Sequence, residues 1–186
     1  MSRLRTLCLF ISLTGGLVLL GCGKGPEPAT SPEATTTPPT DSSPDLVKIS
    51  PGDDVQKRVQ EELILAEPGT IIEFEEGVYE FTQGLSLDVE EVTVRGAGMD
   101  KTILDFKNQE AGAEGLYITS DHVLVEDLCV RDTKGNAIKS HSADNIVYRR
   151  VKTEWTGGPK PTNGAYGLYP VSSENVLIEG CVAIGA

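Results

Sequence analysis

The sequence predicts an all-β fold, a solenoid of short strands behind one N-terminal helix, and three observations carry that reading. Downstream of residue 70, short runs rich in Val, Ile, Leu and Thr alternate with polar residues and are separated by Gly or charged turns. Val92, Val123, Ile146 and Val176 recur at one position of a repeated unit, at intervals of 31, 23 and 30 residues. The composition, with 20 Gly, 11 Pro and 5% aromatic residues, suits a turn-dense chain better than a helical bundle. At 186 residues and 39% hydrophobic residues, one folded domain is expected.

The chain opens on a segment to be set aside before fold reasoning. Residues 1–21 of "MSRLRTLCLFISLTGGLVLLGC" read as an export signal: Arg3 and Arg5 start it, and an apolar stretch too short to span a bilayer comfortably follows. "LLGC" (Leu19 to Cys22) resembles a bacterial lipobox, which implies cleavage before Cys22 and lipid on its sulfur; an ordinary cleaved signal is the alternative. The lipid would hold the exported protein at a cell membrane, the outer membrane in a Gram-negative source. Residues 22–46 shift to Pro, Thr, Ser, Glu and Ala, with almost nothing to bury, and are expected to form a disordered tether.

The folded part, residues 47–186, begins with a helix. "GDDVQKRVQEELILAEPG" places Val55, Val59 and Leu63 on one face, with Asp53 or Asp54 as N-cap and Pro68-Gly69 as terminator. "TIIEFEEGVYEF", "LSLDVEEVTVRGAG" and "KTILDF" then follow strand grammar, and no second helix is expected. In the repeats, the 23-residue interval is the bare unit; "NQEAGAEG" (Asn108 to Gly115) and "TGGPKPTNGAYG" (Thr156 to Gly167) are insertions. Just before each repeated apolar residue stands His122, Asn145 or Asn175, and before that Asp121, Asp144 or Glu174. Such residues at a turn tolerate left-handed backbone and bond one coil to the next.

Units of this length, and Asn at a repeated turn, resemble the right-handed parallel β-helix of the pectate-lyase-like superfamily. "EPGTIIEFEEGVYEFTQGLSLDVEEVTVRGAGMDKTILDF" is similar to that superfamily's first coils, where a helix caps the open end and three short strands make a unit. "NGAYGLYPVSSENVLIEG" resembles exported, often lipid-anchored β-helix proteins without an established activity. Strand alternation in this fold turns Leu116, Ile138 and Leu168, then Ile118, Ser140 and Pro170, inward. Tyr117, Lys139 and Tyr169 then form one outward row, and Thr119, His141 and Val171 the next. This is the face on which related enzymes bind sugar chains. Trp155, Asn163 and Tyr166, on or beside the second insertion, join Tyr117 as candidate substrate-binding residues, because aromatic rings cover sugar C–H groups while polar neighbours fix orientation. The alternative is structural: the outward aromatics stiffen the ladder, and Trp155 anchors the insertion by covering the core.

Charge sets limits on partners. The formal net charge of −12 argues against nucleic acid and anionic membrane surfaces, so an anionic polysaccharide needs a local basic patch or a bridging cation. Residues 131–160 offer such a patch, with Arg131, Lys134, Lys139, Arg149, Arg150, Lys152 and Lys160 against Asp132, Asp144 and Glu154; the alternative is a solvated charge run divided between two faces. Lys139, His141 and Tyr169 are the types a polysaccharide lyase or uronan C5-epimerase needs as base, acid and carboxylate neutraliser. A surface module binding glycan or an envelope partner is the competing function. No cofactor or zinc signature is present; calcium stays open, although the Asp cluster of the superfamily's calcium-dependent lyases is not visible. "RGAGMD" reads as a tight turn, not a dinucleotide loop. Cys129 and Cys181, two coils apart in this register, are expected to be free thiols. The ending "ENVLIEGCVAIGA" reads as an unclosed coil, as expected for the N-terminal part of a longer protein. Oligomeric state is not legible.

Overall fold

A computed structural model describes residues 44–186. The signal segment, Cys22 and nearly all of the linker lie outside the described residues. Among those described, the chain forms β1 (Leu46–Ile49), α1 (Val55–Leu65), β2 (Ile71–Phe74), β3 (Gly77–Glu80), β4 (Gln83–Leu87), β5 (Thr93–Arg95) and β6 (Thr102–Asp105). There follow β7 (Ala111–Ile118), β8 (Leu124–Arg131), β9 (Ile138–His141), β10 (Val147–Glu154), β11 (Leu168–Val171), β12 (Leu177–Glu179) and β13 (Val182–Ile184). All pairings are parallel and join successive coils: one sheet runs β1-β2-β5-β8-β10-β12, with β3-β6 and β13 on its second leg, and the other runs β4-β7-β9-β11. This is a parallel β-helix. Its regular structure starts at Leu46, one residue inside the expected tether.

The expected register holds. Thr93 pairs with Leu124, Leu124 with Val147 and Val147 with Leu177, which aligns the preceding residues Val92, Val123, Ile146 and Val176. The solenoid also begins earlier than those four positions indicate, because β1 and β2 supply two further coils whose inward residues Val47 and Ile72 extend the row Val94, Val125, Tyr148 and Ile178. Thr70 holds the aligned position in the β2 coil, so a search for repeated apolar residues passes it over.

The turn row explains why coils stack in register. Glu91, His122, Asn145 and Asn175 all have φ of 54–59°, left-handed backbone that costs most side chains about 1 kcal/mol or more. Cross-coil bonds offset that cost. The Asn175 amide donates to Asn145 Oδ1 at 3.2 Å, and Asn145 Nδ2 lies 3.2 Å from His122 Nε2. One position back, the Asp144 N–H donates to Asp121 Oδ1 at 2.8 Å and the Glu174 N–H to Asp144 Oδ1 at 2.7 Å. His122 is thus a turn residue, as its position implied.

A second corner makes β8 and β10 bend. Asp127 and Arg150 are aligned, both left-handed, and joined by two bonds of 2.6 Å from the guanidinium to the carboxylate. The Arg150 hydrogen bond holds the Asp127 carboxyl below its ordinary range.

At the open end, α1 buries Val55, Val59 and Leu63, as the periodicity predicts. It also covers the edge of β4, whose backbone groups would otherwise lack a partner. Gln60 accepts from the Ser86 N–H and donates to the Ser86 carbonyl, both at 3.0 Å, imitating a neighbouring strand. Gln56 Oε1 accepts the N–H groups of Thr82 and Gln83. The expected N-cap is not formed: Asp54 sits at φ 57° and its side chain makes no capping bond. The tight Ser50–Asp54 entry into the helix demands a left-handed residue there, which turns the carboxylate away from the first N–H groups.

The two thiols are free, as expected. Lys152 pairs with Cys129 on one side and Val182 on the other, so Cys129 and Cys181 belong to coils two apart. Burial pushes the Cys129 thiol up to about 11, whereas Cys181 is only partly covered. Alkylation of the native protein is expected to modify Cys181 readily and Cys129 only on unfolding. A Cys129–Cys181 disulfide in non-reducing peptide mapping would refute this register.

Candidate functional site

The sheet of β4, β7, β9 and β11 presents the face expected to carry function. Leu116, Ile138, Ile118 and Ser140 are buried inward, while Leu168 and Pro170, on the last coil of this sheet, are half-buried. Tyr117, Lys139 and Tyr169 align outward across three coils, and His141 faces Val171 in the next row. The Lys139 ammonium lies 5.5 Å from the centroid of the Tyr117 ring and 5.9 Å from that of Tyr169, a cation–π arrangement with both neighbours. Glu114 Oε1, 3.7 Å away, balances its charge. No sequence pattern pointed to Glu114, since it lies in an insertion without periodicity.

Tyr166 extends this row. Its ring stacks on Tyr169 with centroids 4.3 Å apart and planes 12° from parallel, while Tyr166 remains 50% exposed. The insertion that carries it is held by backbone contact. A Cβ at Gly164 would overlap the carbonyl of Gly135 in the preceding coil, so only glycine allows the two loops to approach this closely. Asn163 donates its amide to the carbonyls of Gly158 at 2.9 Å and Gly185 at 2.6 Å. Its donors therefore tie the insertion to the last coil and are not directed at a ligand.

Trp155 departs from the expectation of an open sugar platform. It is 4% exposed, belongs to the core cluster and donates its indole N–H to the Thr133 carbonyl at 2.8 Å. A parallel coil brings the end of β10 over the preceding loop, so the ring closes the core there and leaves no open face for stacking.

The basic patch is likewise redistributed by the fold. Arg131 binds Asp105, Arg149 binds Glu126 and Glu179, Arg150 binds Asp127 and Glu126, and Lys152 binds Asp100 and Glu154. These partners are 22 or more residues away except Glu154, on coils one or, for Asp100, two removed, which a sequence window does not see. The excess of cations is therefore mostly an inter-coil ladder, and only Lys134 and Lys160 of the seven have no carboxylate partner among the described residues.

Lys139 and Tyr169 are neighbours across coils, and His141 stands on the same side as Lys139, roughly 7 Å further along the strand. No hydrogen bond links any two of the three among the described residues. Neither does any group of three or more His, Cys, Asp or Glu among them gather to hold a metal ion. The arrangement offers flat apolar rings around one cation.

Two solved structures are similar to this chain. The pectin methylesterase PemA from Erwinia chrysanthemi superposes with a TM-score of 0.50 at 13% identity, over 76% of this chain and 55% of that one. A pectin methylesterase in complex with a hexasaccharide gives a TM-score of 0.47 at 12% identity, over 66% of this chain and 49% of the other. The chain spans about half the length of these structures. No protein-family model matches the sequence, and no curated protein does. The likeness to PemA, with the parallel pairing of successive coils, defines the class by fold: a parallel β-helix, the architecture that the sequence resemblance implied.

Proposed function

We propose that this protein is a glycan-binding β-helix module, displayed outside the cytoplasm by a lipid on Cys22. One observation carries the binding reading: the exposed Tyr166 stacks on Tyr169, which continues a row through Lys139 to Tyr117. Stacked rings hold a flat apolar surface at little entropic cost on binding, and the interleaved ammonium adds a donor for hydroxyl or carboxylate oxygens. Lipidation rests on the "LLGC" pattern and is tested by metabolic labelling with a fatty-acid analogue, which Cys22→Ala should abolish.

Because PemA is a pectin methylesterase, pectin fragments are the first ligands to try. In calorimetric titration, oligogalacturonate or its methyl ester is expected to bind, and Tyr166→Ala with Tyr169→Ala to weaken binding about tenfold or more, equivalent to roughly 1.4 kcal/mol or more. Binding of neither, or binding indifferent to both tyrosines, would overturn this assignment. Ultraviolet-absorbing unsaturated products appearing during the titration would replace it with the lyase reading, in which Lys139, His141 and Tyr169 act on the chain.

A further inference from the structure

The lysines without partners are not scattered. Eight lysines fall within the described residues, and Lys48, Lys57, Lys101, Lys139 and Lys152 each lie 3.2–3.7 Å from a carboxylate oxygen. The other three, Lys107, Lys134 and Lys160, all line one open depression of about 380 Å³. They come from three successive coils: Lys107 and Lys134 stand just past the ends of β6 and β8, and Lys160 lies in the insertion that follows β10.

Two of these side chains are held in place. Lys134 Nζ donates to the Glu110 carbonyl at 3.4 Å, and the Lys160 ammonium folds over Gly157, where a Cβ would lie 2.7 Å from it. One acid, Asp132, also lines the depression, but its carboxylate accepts the Thr156 N–H and hydroxyl, both at 2.7 Å, and so faces the loop. Three lysines therefore line one depression beside a single committed carboxylate, in a chain of net charge −12. Like charges left together repel, and a bound anion relieves that repulsion.

We infer that the depression between Lys107, Lys134 and Lys160 is an oxyanion subsite that receives a carboxylate of an acidic glycan. The inference rests on the glycan reading above and adds the ligand's charge to it. Lysine ammonium groups act as point charges without the planar fork of arginine, which suits carboxylates repeated along a flexible polymer. The same insertion supplies Tyr166 to the tyrosine row and Lys160 and Thr162 to the depression. A polymer, unlike a small anion, has the reach to engage both.

The test compares oligogalacturonate, its fully methyl-esterified form and inorganic phosphate as calorimetric titrants of the folded protein. Wild type is expected to bind the acid at least tenfold more tightly than the ester, with an advantage that shrinks as salt rises. Lys107→Gln with Lys134→Gln and Lys160→Gln should remove that advantage and leave ester binding unchanged. Gly157→Ala, which displaces only the Lys160 ammonium, should remove part of it. All four positions are exposed, and unchanged thermal melting would confirm intact folding. If the acid binds equally well to the triple variant, the subsite is refuted while the tyrosine face stands. If neither glycan binds but phosphate does, lysine-dependently, the glycan reading and this assignment both fail.

Discussion

Replacing Phe81 with alanine is expected to destabilise the protein by about 3–5 kcal/mol. Phe81 is fully buried and follows β3 directly, with its N–H donated to the Asp105 carbonyl at 2.8 Å. That bond places Phe106 of the next coil over it, ring centroids 5.0 Å apart and planes at 22°. Truncation would remove the transfer free energy of one ring, the stacking with the other, and leave a cavity that parallel coils have little freedom to close. Phe81→Leu keeps most of the volume and should cost under about 1.5–2 kcal/mol. Because each coil contacts only its neighbours, the lost protection against hydrogen exchange should concentrate in β3 to β6 and spare β9 to β11. Urea denaturation showing a loss below about 1 kcal/mol would mean that the two rings do not form this stack.

Gly164→Ala is expected to have the next largest effect, and on function more than on the core. The added methyl would meet the Gly135 carbonyl, which is backbone and has no rotamer through which to yield. Relief requires lifting the insertion off the preceding loop, at about 1–3 kcal/mol. Tyr166 would lose its stack on Tyr169, so pectin-fragment binding should fall about tenfold or more. Gly158→Ala is the control: it lies in the same insertion at φ 73° with nothing within 4 Å of its Cβ position, and should carry only a left-handed penalty of about 1 kcal/mol. Equal effects of the two substitutions would show that the Gly135 contact does not hold the insertion.

How much of this was legible depended on whether a signal repeats. Val55, Val59 and Leu63 were readable because a helix face has a local period, and the Tyr117, Lys139 and Tyr169 row because parallel coils convert sequence intervals into spatial neighbours. The repeated apolar row did not reach the first two coils, because Thr70 breaks the pattern at its aligned position, and there only the resemblance to the first coils of a β-helix pointed to them. The two readings of the basic patch could not be separated for the opposite reason. Charge counted along a window ignores Asp105, Glu126 and Asp127, which the stacking of coils sets beside Arg131 and Arg150. Trp155 illustrates the same limit, since one aromatic at the root of an insertion looks alike whether it closes a core or faces solvent.

The sequence by itself determined the all-β solenoid, its register, the helix at its open end and the two unbridged thiols. Each follows from period and spacing, which survive translation into three dimensions. Only the tertiary structure decided which charges are neutralised, which aromatic rings stay open, and that Lys107, Lys134 and Lys160 meet at one depression. Those are properties of residues brought together from different coils, where insertions of unequal length bend the chain. There the distance between side chains is set by loop packing and backbone contacts such as Gly164 on Gly135, for which a linear sequence has no period.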